Sequence, residues 1–430
     1  MPPDETAITA SQILDRESQK VIREELARES VSAVRLIEHV IQHAHALQSS
    51  DIHLDPGETI LASRFRVDGK LRDAHDIPMW IHREILARLK ILAGLRIDEH
   101  GIPQDGRFRF FLTERVHPDS VGSSSLAAFL DIRLSIAPTY YGENAVLRLL
   151  SSRDQLNTFE SLGLSSIHQT IIRRALSNPH GLLLLTGPTG SGKTSTLYAF
   201  MQYLNTRLLS IITIEDPIEY SMEGINQIQA SQRSGLTFAE GLRSILRQDP
   251  NIIGIGEIRD HETASLAVHA ALTGHLVLST LHTTSAPSAL PRLIDLGIEP
   301  YLIASTIQLV VAERLVRRLC TFCRVSKALT EEQRLVLTNR SGNLEISSCS
   351  YFSSIGCLRC ENTGSNGRIG IFEILFVNNE LRDAIARKAS ARELSLLAQQ
   401  DGMQTLFEDG MQKAAEGLVP IDEVLTLIHE

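Results

Sequence analysis

The chain has 430 residues, 43% of them hydrophobic and 22% charged. This is ordinary globular composition and excludes wholesale disorder, collagen and coiled coil. Forty-two Lys and Arg against 51 Asp and Glu leave a net charge of −9, and aromatics are only 5%, which argues against a nucleic-acid binder that works by overall charge or base stacking.

At roughly 150 residues per domain, two to four domains are expected. The first residues, MPPDETAITASQILDRES, carry neither a basic stretch nor an apolar core, so no secretory signal is expected. Apolar runs such as Leu182–Leu185 fall far short of the ~18 residues that cross a bilayer. The expectation is a cytoplasmic protein that meets a membrane only peripherally, through a partner.

Residues 1–30 scatter Ile13, Leu14, Val21, Ile22 and Leu26 among charges, the pattern of one amphipathic helix or a loosely attached arm. Helical periodicity resumes over 31–47 and again near 81–95. SRFRVDGKL (63–71) alternates around an Asp-Gly turn and predicts a hairpin. IPQDGRFRFFL (102–112) and FLDIRLSIAPT (129–139) predict strands, and HPDSVGSSSL (117–126) between them predicts a loop. Residues 31–150 are therefore expected to form an α/β domain, with 151–163 as a polar linker. From 164 onward the pattern changes. Apolar runs at 181–187, 210–217, 251–257 and 275–282 alternate with helical stretches, the signature of a buried parallel sheet. Residues 320–375 are irregular and hold the cysteines; 376–430 are again helical.

The run from Gly187 to Thr194, GPTGSGKT, fits GxxxxGK[ST] between an apolar strand and a helical run. Glycines let backbone N–H groups curl around phosphate. Lys193 would reach the β and γ phosphates, and the Thr194 hydroxyl would bind Mg²⁺. The candidate ATP-binding residues are Gly187, Pro188, Thr189, Gly190, Ser191, Gly192, Lys193, Thr194 and Ser195. Hydrolysis further needs a group that activates water. In IIGIGEIRD (252–260), Gly256 stands where many such strands carry an Mg²⁺-binding Asp. Glu257 is the first acid at the strand's C-terminal end and is the candidate base, although an ion pair with Arg259 is the structural alternative. Glu215 and Asp216 end another apolar strand and could orient water or Mg²⁺. His275 and His282 bracket LVLSTL, and His282 is the better placed for phosphate.

Four of the five cysteines form two pairs, Cys320-x-x-Cys323 and Cys357-x-x-Cys360. In a chain without a signal peptide this pattern predicts a closed tetrahedral Zn²⁺ site before disulfides. Cys349 is a spectator. A zinc module flanked by Arg314, Arg317, Arg318 and Arg324 also leaves open a nucleic-acid translocase. A non-hydrolysing, nucleotide-gated scaffold is a further alternative.

Taken together, GPTGSGKTSTLYA (187–199), ITIEDPIEY (212–220), LRSILRQDPNIIGIGEIRD (242–260) and TGHLVLSTLHTTSA (273–286) resemble the Walker A, Asp box, Walker B and His box of the type II secretion and type IV pilus assembly ATPases. SSDIHLDP (49–56), FRVDGKL (65–71), PQDGR (103–107), DIRLSIAPTYYGENAVLRLL (131–150), ERLVRRLC (313–320), GCLRC (356–360) and TGSNGRIGIFE (363–373) extend the resemblance over nearly everything from residue 31. It implies a RecA-like P-loop core (164–319), a smaller N-terminal PAS-like α/β domain, a tetracysteine zinc module and a helical C-terminal region. It implies a homo-hexamer with nucleotide between a chain's two domains. ATP hydrolysis would drive an inner-membrane platform protein that assembles a pilus or pseudopilus. The resemblance makes Glu257 the catalytic Glu, Glu215 an assistant to Mg²⁺ or water, His282 a γ-phosphate sensor, and Arg107 and Arg133 phosphate-approaching arginines. The tetracysteine module favours an assembly motor over a retraction motor. Departures are His100 and Gly101 ahead of PQDGR, Asn251 for Asp, Glu313 for Gln and Ser365 for Tyr. Residues 1–30 are too few for the further N-terminal docking domain that members often carry.

Overall fold

The computed structural model describes residues 19–26, 31–67, 69–112, 129–151, 158–231, 235–340, 351–360 and 362–427. The predicted loop 117–126 and Cys349 lie outside the described residues. The chain divides into two units, Met1–Gln155 and Leu156–Glu430.

The first unit is a six-stranded antiparallel sheet covered by helices. Its strands are β1 (Asp51–Pro56), β2 (Ile60–Val67), β3 (Lys70–Pro78), β4 (Gln104–Phe111), β5 (Phe129–Thr139) and β6 (Gly142–Ser151), in the order β3-β2-β1-β6-β5-β4. The predicted hairpin is β2–β3, turning through Gly69 in the left-handed region at φ +82°. Helix Ala33–Ala46 starts on the Ser32 side chain, which accepts from Arg35 N. It lays Leu36, Ile37, Val40 and Ile41 on the sheet beside Ile85, Leu86 and Leu89 of helix His82–Leu92. A short helix over 19–26 adds the buried Ile22 to the same core.

The second unit is a seven-stranded sheet. Its strands are β7 (Gly181–Thr186), β8 (Ile211–Glu215), β9 (Asn226–Gln229), β10 (Ile252–Ile255), β11 (Leu276–Leu281), β12 (Ile307–Leu319) and β15 (Ser365–Phe376), in the order β15-β12-β7-β11-β10-β8-β9. All neighbours pair parallel except β15 on β12. The apolar runs are continuous because both faces are covered. Leu182 and Leu184 enter one core cluster, while Leu183 and Leu185 enter the other. Phe159 and Leu162, near the end of the predicted linker, are buried in that second cluster.

No element is expected over 307–319 from its pattern, yet β12 is the longest strand of the sheet. Glu313, Arg314, Arg317 and Arg318 break its apolar run and mask the strand signal. Between β12 and β15 lies the cysteine module, built on the small ribbon β13 (Arg324–Lys327) and β14 (Tyr351–Ser354). The C-terminal helices Asn379–Ala386, Ala391–Gln400, Leu406–Ala415 and Ile421–Thr426 follow. Buried Asp409 accepts from Phe372 N at 2.8 Å, and Lys413 donates to Asp409 and to Gly370 O, both at 2.7 Å. These bonds lock helix Leu406–Ala415 onto β15. Among the described residues, no helix is long and apolar enough to cross a membrane.

Candidate nucleotide site and metal centre

The sheet order puts the C-terminal ends of β7, β11, β10 and β8 side by side, where parallel sheets hold ligands. The phosphate loop, His282, Glu257 and Glu215 lie at or just after these four ends. After β7 the chain turns through Gly187 (φ +150°), Gly190 (φ +80°) and Gly192 (φ +105°) into helix Lys193–Leu204. Only glycine takes such angles readily, and a Cβ at Gly187 would stand 2.6 Å from Glu313 O. Pro188, Thr189, Gly190 and Thr194 are exposed at the mouth, whereas Ser191 and Lys193 are buried. Lys193 Nζ donates to the carbonyls of Gly187 and Pro188, each at 2.8 Å. Its burial draws the ammonium pKa below the usual lysine value, partly offset by Glu313 and Glu257.

Glu257 follows β10, half-buried, and His282 follows β11. His282 Nε2 lies 3.0 Å from Glu257 Oε2. Arg259 ion-pairs with the other carboxylate oxygen, so the structural alternative raised for Glu257 forms alongside its contact with His282. Burial by itself would raise the Glu257 pKa, but the bonds from Arg259 and His282 outweigh it and hold the carboxyl below its usual range. Thr186 Oγ1 accepts from Thr283 N at 2.9 Å and ties the end of β7 to the residue after His282. The sequence singled out neither threonine. His275, at the other end of β11, contacts Ala270 O at 3.0 Å and serves the helix-to-strand turn.

Glu215 at the end of β8 is buried in a polar cage. Thr213 Oγ1 donates to Oε1 at 2.5 Å, Gln227 Nε2 donates to Oε1 at 3.2 Å, and Tyr198 OH donates to Oε2. Burial pushes its pKa up despite these donors. Tyr198 sits on the helix that follows the phosphate loop, so the cage fixes that helix against β8. The adjacent Asp216 is exposed.

Arg107 on β4 and Arg133 on β5 are register partners. Arg133 also faces Arg148, which faces Asp51, which faces Arg66. One row of the sheet therefore carries four arginines around one acid. Asp51 binds Arg148 Nε at 2.9 Å and Arg66 Nε at 3.4 Å, at the far end of the row from Arg107. Arg107 and Arg133 are like charges directly across from one another, a pairing that is unfavourable by itself.

The four paired cysteines converge, with all sulfur atoms within 4.8 Å of one another. Cys320–Cys357 is 3.8 Å, Cys323–Cys360 3.7 Å and Cys357–Cys360 3.7 Å. Tetrahedral Zn²⁺ with Zn–S near 2.3 Å has S···S edges of about 3.8 Å. The donor set and spacing fit zinc. Burial raises the Cys360 thiol, but N–H groups of Cys357 and Gly364, 3.3 and 3.2 Å from Sγ, outweigh that and lower its pKa.

Residues 27–426 match the family described as Type II/IV secretion system protein. Type II secretion system protein E of Xanthomonas campestris pv. campestris is 44% identical over 399 residues, covering 92% of this chain and 67% of that protein. The type IV pilus assembly ATPase PilB of Thermus thermophilus is 40% identical over 418 residues, 97% of this chain and 45% of that protein. The chain thus spans about half to two thirds of these relatives. Among solved structures, the ATPase DotB of Legionella pneumophila superposes with a TM-score of 0.66 at 21% identity, covering 94% of this chain and 98% of that one. The pilus retraction motor PilT with bound ADP gives 0.63 at 24% identity, covering 91% and 96%. Both share the fold. With a family match across almost its whole length and relatives of 40% identity or more, the chain belongs to the type II secretion and type IV pilus assembly ATPase family.

Proposed function

We propose that this chain is an Mg²⁺-dependent ATP hydrolase that works as a homo-hexamer at the cytoplasmic face of the inner membrane. It powers type II secretion or type IV pilus or pseudopilus assembly through a membrane platform protein. The observation that carries the reading is the alignment of the phosphate loop, the Glu257–His282 pair and Glu215 on four neighbouring strand ends.

Each group then has a task. The loop N–H groups and Lys193 would hold the phosphates, and the exposed Thr194 hydroxyl would hold Mg²⁺, which would neutralise charge on the phosphates. Glu257, kept ionised by its partners, accepts a proton from the attacking water. His282, hydrogen-bonded to Glu257, orients that carboxylate and answers the γ-phosphate. Glu215 holds the helix behind the loop through Tyr198. The family resemblance assigns Arg107 and Arg133 as arginines that approach phosphate. Cys320, Cys323, Cys357 and Cys360 would hold Zn²⁺, which would fix the fold of the module. Family membership favours this reading over a nucleic-acid translocase.

Equilibrium binding of a fluorescent ATP analogue to the wild type and to Lys193→Ala tests the site. Micromolar binding lost in the variant supports the reading. Equal binding in both contradicts it.

A further inference from the structure

Glu313 lies on β12 beneath the phosphate loop, with no part of it exposed. It touches both ends of the loop. A Cβ at Gly187 would come within 2.6 Å of its backbone oxygen, and one at Gly192 within 2.1 Å of Oε1. Thr196 Oγ1 donates to Oε2 at 2.8 Å, whereas Oε1 is buried without a hydrogen-bond partner.

The charged groups around it are all committed elsewhere. Lys193, on the helix after the loop, donates to Gly187 O and Pro188 O. Lys413, on helix Leu406–Ala415, binds Asp409 and Gly370 O. Arg314, next on β12, donates to Glu313 O and to Thr284 O. Glu373, on the neighbouring β15, accepts from Ala286 N. Among the described residues no cation closes an ion pair with Glu313. An ionised carboxylate buried without a partner is costly, so the acid keeps its proton. Burial pushes its pKa up to about 8, with Thr196, Lys193 and Lys413 only partly opposing.

We propose that Glu313 is a positioning residue for nucleotide binding that works as a neutral acid. Uncharged, it braces Gly187 and Gly192 and leaves the positive field of the loop and Lys193 free for phosphate. Ionised, it competes with phosphate for that field. By linkage, bound phosphate favours the protonated form, so nucleotide binding at mildly alkaline pH draws a proton from solvent. The proposal rests on the nucleotide-site reading above.

Calorimetric titration of the full chain with MgADP from pH 6.5 to 9, in two buffers of different ionisation heat, tests it. The wild type is expected to weaken about tenfold toward pH 9, as one group with a pKa near 8 ionises, with net proton uptake at pH 8.5. Glu313→Gln removes the titrating group, so its Kd changes less than about twofold over the range and the uptake disappears. Thr196→Val, which removes the donor to Oε2, shifts the alkaline weakening to higher pH and serves as the second variant. A Gln variant that keeps the wild-type alkaline profile overturns the proposal and assigns the titration to Lys193. A wild type that binds with no pH dependence also overturns it. A wild type that binds no MgADP at any pH removes the nucleotide-site reading itself, and the proposal with it.

Discussion

His282 Nε2 and Glu257 Oε2 lie 3.0 Å apart although 25 residues separate them in sequence. Parallel pairing of β10 with β11 places the two strand ends side by side. A carboxylate held below its usual pKa range is a base ready at neutral pH. Glu257→Gln should lower turnover by about 10²–10⁴-fold, the usual contribution of a general base, with ATP binding retained. His282→Ala should lower turnover less, because Arg259 still holds the carboxylate. Since the Glu257 pKa is depressed, the base is lost only as pH falls through a value below the ordinary ~4.3 of a glutamate. A kcat profile between pH 6 and 8 should therefore show no acid limb from this group.

Metal analysis of the purified chain should find one zinc per chain. The sulfur spacing of 3.7–3.8 Å matches a closed site. Cys320→Ser and Cys360→Ser should each abolish retention of zinc, and Cys349→Ser should leave it intact. Chelation should expose the module to protease, because structural zinc contributes ~10–16 kcal/mol to local folding. Full resistance after complete zinc removal would contradict a structural role.

Arg107 and Arg133 oppose each other directly across β4 and β5. Alanine at either position should lower kcat by up to about 10³-fold, the lower range for an arginine that stabilises transferring phosphate. Lysine should restore little, since it lacks the planar fork. Single-turnover kinetics separates this loss from a change in nucleotide affinity.

Glu313 also carries a stability signature. Its folded pKa is raised to about 8, while an unfolded glutamate titrates near 4.3. Between those values the folded state holds a proton the unfolded state has released, so stability falls as pH rises. Each pH unit costs about 1.4 kcal/mol for one such proton. Glu313→Gln removes this cost, so its Tm relative to the wild type should rise between pH 6 and 8.5. A constant difference across that range would contradict a buried neutral acid.

Much of this was legible in the chain. The strands β7, β8, β10 and β11 are short apolar runs between helical stretches, and the fold places all four in one parallel sheet. The four cysteines converge as their spacing implies. What stayed hidden depends on contacts far apart in sequence. Glu215 reads as one more strand-end acid, yet its cage comes from Tyr198, 17 residues before it, and Gln227, 12 after. Glu313 reads as a departure in a charged stretch; only the pairing of β12 with β7 places it under the loop. The Arg107–Arg133 opposition needs the register of β4 and β5, which alternation alone does not set.

Hydrolysis by an assembly whose base is Glu257 is open to a single experiment. Phosphate release per chain, measured with MgATP against protein concentration for the wild type and Glu257→Gln, tests it most directly. Turnover per chain should rise with concentration in the wild type and vanish in the variant, with ATP still bound by both. Turnover in Glu257→Gln equal to the wild type would contradict it.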